Sequence, residues 1–177
     1  MTLSKRPFRK RDTDALFAWF PTERDALQWA GAGLSWPLNK RELSKLVAQH
    51  RGDSPIREVW AVFDADEEMI GHFQLTYNRR LSTVGLGRIA LHPDRRGEGL
   101  AAPLLGLILA QAFSRAWVHR LELLVYSHNT AAIHAYQRAG FVLEGTRRET
   151  TPIADEIWDT HIMSILRNEF DKRTERE

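Results

Sequence analysis

One stretch restricts the fold of this chain more than any other: Arg88 to Leu105, RIALHPDRRGEGLAAPLL. The apolar run up to Leu91 reads as the end of a strand, His92-Pro93 as a turn, and the Leu/Ala-rich residues from Gly99 as a helix. Between strand and helix stand Arg95, Arg96 and two glycines, Gly97 and Gly99. Such a turn presents backbone N–H groups beside the positive end of the helix dipole. With little bulk at the two glycines an anion can reach those amides, and a diphosphate suits them. Arg96 can add a charge-assisted contact. The plain alternative is a tight turn into a core helix.

The remainder is organised around this junction. Leu3–Phe8 reads as an opening strand, followed by a helix from about Thr13 that carries Leu16, Phe17, Trp19 and Phe20 and is ended by Pro21. Thr22 starts a second helix with Leu27 and Trp29, closed by Gly31-Ala-Gly33. Asn39 caps a third, in which Leu43, Leu46 and Val47 recur at helical spacing. From Glu58 the period falls to two: VWAVF (59–63), a polar turn at Asp64 to Glu67, and MIGHFQLTY (69–77) form a hairpin. A strand over Thr83–Leu91, a helix over Gly99–Ala116, a strand over Leu121–Tyr126 and a helix over Thr130–Ala139 stopped by Gly140 follow. Phe141 to about Arg147 and Glu156–Leu166 close the chain as strands. The pattern predicts one α/β (α+β) domain over residues 1–170: a central mixed, mostly antiparallel twisted sheet of about 6–7 strands flanked by about 4–5 helices. Residues 171–177 read as a charged C-terminal tail.

Composition removes whole classes of function. At 177 residues the chain is long enough for a core without staples, and it contains no Cys. Its seven His residues show no metal-ligand spacing, so no metal site is expected. No apolar run approaches a membrane span, and no apolar segment follows the charged opening, which makes cytoplasm the expected compartment. The formal charge is only +2, with acids and bases interleaved, so no nucleic-acid partner is expected. Lys5, Arg6, Arg9, Lys10 and Arg11 read as a solvated strand edge and helix approach, and residues 167–177 as a fraying end.

The glycine turn matches neither common phosphate loop. It lacks the Gly-Lys-Ser/Thr of a P-loop and the three-glycine dinucleotide fingerprint. What remains, Arg96-x-x-Gly99-x-Ala101 at a strand-to-helix junction, resembles the pyrophosphate loop of the GNAT N-acetyltransferase family. LELLVYSHNTAAIHAYQRAGFVLEG (121–145) is similar to that family's strand, Asn, helix, Tyr and Gly-Phe module. The resemblance extends from about Val59 to Leu166. The closing segment GTRRETTPIADEIWDTHIMSIL resembles the ribosomal-protein N-terminal acetyltransferase branch in particular.

The resemblance implies a GNAT-like domain and an acetyl-CoA-dependent enzyme in which a primary amine attacks the thioester directly, in a ternary complex. Acetyl-CoA or coenzyme A would be the cosubstrate, and a small-molecule or peptide amine the acceptor. It implies that Ile89 and Leu91 offer backbone groups to the pantetheine arm. Arg96, Gly97, Glu98, Gly99, Leu100 and Ala101 would cradle the diphosphate. Asn129 and Ala132 would also meet the cofactor, and Tyr136 would protonate the leaving thiolate. The plain readings are a cap for Asn129 and a core role for Tyr136. Pro103 leaves the helix start open. No base stands out: Thr83–Leu91 holds no carboxylate, and Glu122, His72 and Asp64 are weak candidates. The acceptor side would be walled by Trp29 to Trp36, Gln74, Tyr77 and Ile153 to Trp158. Trp29 and Trp36 read better as core anchors than as an aromatic lip around the glycines. Asp155, Glu156 and Asp159 read as a solvated hairpin. Two rivals stand beside this reading, an enzyme using a longer acyl-CoA and a non-catalytic CoA-binding or sensing module. A homodimer is possible.

Overall fold

The computed structural model describes residues 2–50 and 55–175; Met1 and the last two positions of the expected tail, Arg176 and Glu177, lie outside them. The described residues form seven strands and six α-helices. The order is β1 (Ser4–Pro7), α1 (Thr13–Ala18), α2 (Glu23–Ala30), α3 (Lys40–Val47), β2 (Arg57–Phe63), β3 (Met69–Asn78), β4 (Thr83–Leu91), α4 (Ala101–Phe113), β5 (Arg120–Tyr126), α5 (Thr130–Arg138), β6 (Val142–Ile153), β7 (Glu156–Leu166) and α6 (Arg167–Thr174). The strands form one mixed sheet in the order β1-β2-β3-β4-β5-β7-β6. The chain divides into two compact units, one comprising residues up to Thr76 with Gly87–Leu104, the other Tyr77–Leu86 with the residues from Leu105 onward.

In the first unit the helix starts are set by side-chain caps. Thr22 Oγ1 accepts the Asp25 N–H at 3.2 Å, and Asn39 Oδ1 accepts the Arg41 N–H at 2.8 Å. β1 and β2 pair antiparallel, as do β2 and β3. Phe8, Leu16, Phe20, Ala26, Trp29, Leu43, Val59 and Ala61 form its core. Leu16 and Leu43 are wholly buried, each worth about 1.5–3 kcal/mol relative to exposure. Trp29 is therefore a core anchor as expected, but Trp36 is not, being 40% exposed. The basic opening is also less solvated than expected. Arg6 forms a two-point pair with buried Asp12, at 2.7 and 2.8 Å.

In the second unit β4 and β5 run parallel over Thr83–Leu86, β5 and β7 antiparallel, and β6 and β7 as a long antiparallel hairpin. β6 runs on to Ile153, beyond the end expected at Arg147. The polar run after Arg147 is taken up by a register shift between Arg147 and Thr151, with Glu149 at φ +54°. The expected fraying end is instead helical. Arg167 begins α6 by donating to the carbonyls of Val118, Phe113 and Arg115 at 2.6, 3.0 and 2.8 Å. Glu169 accepts the Leu166 N–H at 2.8 Å, and Phe170 stacks on Phe113 at 4.9 Å between ring centres. Three carbonyls from the end of α4 and the turn that follows it, together with an aromatic pair, hold this segment, which its charged composition concealed.

Among the described residues no helix is long and apolar enough to cross a membrane.

Candidate active site

The junction between β4 and α4 is a short turn followed by two glycines. Pro93–Arg95 form one short 3-10 turn, and the Arg96 N–H closes it onto the Pro93 carbonyl at 3.3 Å. His92 caps the turn, its Nδ1 accepting the Asp94 N–H at 3.2 Å. Gly97 and Gly99 then adopt φ of +84° and +77°, the left-handed region open to glycine. A Cβ at either glycine would meet nothing within 4 Å, so the face they present is open. The Leu104 N–H donates to the Leu100 carbonyl at 3.1 Å, which makes Leu100 the N-cap. Pro103 thus occupies the third helical position, where a backbone N–H has no intrahelical acceptor, and the ring costs no hydrogen bond. The helix starts at Ala101, two residues later than expected.

The two arginines of the loop divide the work. Arg95 pairs with buried Asp64 at 2.6 Å and with Glu98 at 2.9 Å, which ties the loop to the β2–β3 turn. Arg96 is exposed on the open side. Leu100 is buried, anchoring the start of α4, while Gly97, Glu98 and Gly99 are exposed. Upstream, the parallel ladder with β5 ends at Leu86, and β4 runs on past it to Ile89 and Leu91. An open run of amides, a helix N-terminus and one free-facing guanidinium fit a diphosphate, and coenzyme A carries one.

The second unit holds the other sequence-expected residues together on one helix. Asn129 Oδ1 accepts the Ala132 N–H at 3.3 Å and so caps α5. Tyr136 is 9% exposed, with its ring tilted against Phe141 at 5.7 Å. Burial pushes its phenol well above the ordinary value, so it keeps its proton throughout the neutral range.

Residues 3–142 match the acetyltransferase (GNAT) domain model. The chain belongs to the GNAT acetyltransferase family. It is therefore an N-acetyltransferase with acetyl-CoA as cosubstrate. Spermidine N(1)-acetyltransferase of Vibrio cholerae is 30% identical over 134 residues, 76% of this chain and 77% of that one. The L-amino acid N-acetyltransferase AaaT of Escherichia coli is 25% identical, over 63% of this chain and 69% of its own. Among solved structures, spermidine N-acetyltransferase from Vibrio cholerae in complex with CoA and spermine superposes with a TM-score of 0.82 at 25% identity, covering 96% of this chain and 98% of that one. These relatives are named for free amines, and the narrower resemblance to the ribosomal-protein branch has no support among them.

The three weak candidates for a base in this GNAT domain are otherwise engaged. Asp64 accepts from Arg95 and from the N–H groups of Asp66 and Glu68 at 3.1 and 3.0 Å, and the Arg95 hydrogen bond holds its carboxyl below the usual range. Glu122 pairs with Arg120 at 2.9 Å. His72 is fully buried, and burial together with the Arg88 charge depresses it to about 3. Of the expected acceptor-side residues, Gln74 is wholly buried and accepts from Arg57 and Arg88 at 3.2 and 3.1 Å. Trp158 is buried and donates to Glu156 at 2.7 Å, while Asp159 accepts the Glu149 N–H at 2.8 Å. These acids stabilise the hairpin, in line with the solvated-hairpin reading. Sequence reasoning passed over Arg57 and Arg88. The signal for Arg88 was available, since it is the one charged residue in TVGLGRIAL.

Proposed function

We propose that the protein transfers the acetyl group of acetyl-CoA to the primary amine of a small free acceptor. The observation that carries this is the loop itself: two left-handed glycines, Gly97 and Gly99, with open faces before a helix that starts at Ala101. The names of the relatives, for spermidine and for L-amino acids, support a small amine over a protein N-terminus.

Acetyl-CoA supplies an activated acyl group as a thioester. The chain supplies binding, orientation and a proton. Amides from Gly97 to Ala102 and the Arg96 guanidinium hold the diphosphate. Ile89 and Leu91, beyond the β5 ladder, offer N–H and C=O groups to the pantetheine arm as a strand edge receives another strand. Asn129 keeps its amide nitrogen available while its oxygen caps α5. Tyr136 gives its phenolic proton to sulfur as the C–S bond breaks and the N–C bond forms. With Asp64, Glu122 and His72 engaged, the proton of the attacking amine passes to water. Positioning then supplies most of the acceleration.

Tyr136→Phe separates these roles. The variant should keep its stabilisation by CoA while kcat for acetyl transfer falls at least tenfold. Unchanged kcat removes Tyr136 as the acid.

A further inference from the structure

Two guanidinium groups in the first unit converge on one side-chain amide, and neither forms an ion pair among the described residues. Arg88 interrupts β4 at φ +49°, one residue before Ile89, and its carbonyl accepts the Trp29 indole N–H at 2.9 Å. Its Nη1 donates to Gln74 Oε1 at 3.1 Å, and its Nη2 lies so close to Gly33 that a Cβ there would approach to 2.8 Å. Arg57 on β2 reaches the same Gln74 oxygen at 3.2 Å and donates Nε to Gln49 at 3.0 Å. Gln74 turns its amide nitrogen toward His72 Nε2 at 3.3 Å. Two cations therefore share one neutral oxygen. Arg88 Nε is buried with no hydrogen-bond partner among the described residues.

Four described carboxylates of this unit are engaged with other partners. Asp12 holds Arg6, Asp64 holds Arg95, Glu42 holds Ser35, and Glu58 accepts from Trp60 at 3.0 Å. Burial and the charge of Arg57 lower Arg88 to about 10, and burial likewise lowers Arg57. A left-handed, non-glycine residue is kept at this point in the strand, with a glycine cleared beside it. Structural satisfaction alone does not call for a second cation on Gln74. An incoming carboxylate would relieve the repulsion, take the orphan Nε–H and be gripped by paired N–H donors, the arrangement in which arginine excels.

We propose that Arg57 and Arg88 bind the carboxylate of an amino-acid-like acceptor, and so present its amine beside the Ile89–Leu91 stretch of β4. This rests on the acetyltransferase reading above and names its acceptor class. In an α-amino acid a single carbon separates the amine from the carboxyl group, and Arg88 immediately precedes Ile89. A polyamine brings only further positive charge to this pair.

The test compares kcat/KM for L-amino acids, the matching L-amino acid carboxamides and spermidine, following thiol release from acetyl-CoA. Wild type should prefer an acid over its amide by at least tenfold, and Arg57→Gln should erase that preference while the variant is still stabilised by CoA. Arg57→Lys, which keeps the charge but not the fork, should restore it in part. Spermidine or the amides turning over as fast as the acids overturns the inference and leaves the acetyltransferase reading standing. So does a preference that survives Arg57→Gln, or a CoA-stabilised protein that acetylates none of the acids. No stabilisation by CoA would instead overturn the reading on which the inference rests.

Discussion

His72 shows how a single buried residue sets the acid limb of stability. It is enclosed by Phe8 and Trp29, edge to face at 5.0 and 5.7 Å, and burial with the Arg88 charge lowers it to about 3. The unfolded chain protonates the same ring near pH 6.5. Its contribution is therefore complete above pH 6.5 and is lost as pH falls from 6.5 toward 3, by up to about 1.4 kcal/mol per pH unit. Glu144, held down to about 2 by Arg120 and Ser164, acts in a lower window, losing its contribution as pH falls from about 4.5 toward 2. Between pH 6.5 and 5, then, His72→Leu should flatten the fall of Tm with decreasing pH. An unchanged slope would mean that the folded protein protonates His72 without cost. None of this was legible beforehand, since a histidine in MIGHFQLTY reads equally as exposed or buried until the sheet face it occupies is known. Arg88 was legible as an anomaly, but Arg57, with which it shares Gln74, lies far away in sequence, and only pairing of β2 with β3 brings Arg57 to Gln74.

At the scale of elements, the β4-to-α4 junction was the most readable part of the chain, because local chemistry dictates it. The expected strand ends agree for β4, and both glycines fall in the turn expected there, in left-handed conformations. The caps at Thr22 and Asn39 were equally local and equally legible. What escaped was anything fixed by distant partners: the bulge that extends β6 past Arg147, and α6, whose carbonyl acceptors lie in the 113–118 segment. The junction makes a direct prediction. Gly99→Asp meets open space, so folding should lose only roughly 1–2 kcal/mol for the left-handed backbone. CoA affinity should fall at least tenfold, because a carboxylate then stands among amides meant for phosphate. A folded Gly99→Asp protein with wild-type CoA affinity, read by calorimetry, would remove the loop from the cofactor site.

Across the whole molecule, the sequence carried the fold class and the family, while the acceptor we propose rests on a pair assembled only in three dimensions. Seven strands in one mixed sheet, a match to the acetyltransferase (GNAT) domain over residues 3–142, and a superposition at a TM-score of 0.82 agree with the architecture read from periodicity and motif. The central claim is that this architecture binds acetyl-CoA through the loop at Gly97 and Gly99. The most direct measurement is the melting temperature with acetyl-CoA, CoA, ATP or NAD at a hundredfold excess over a micromolar-range Kd. A ligand bound only by the native state adds about 2.7 kcal/mol at that excess, or roughly 5–10 °C for a chain of this size. The account predicts such a rise with acetyl-CoA and CoA and none with NAD. No rise with either CoA species, in a protein that melts cooperatively, would contradict it.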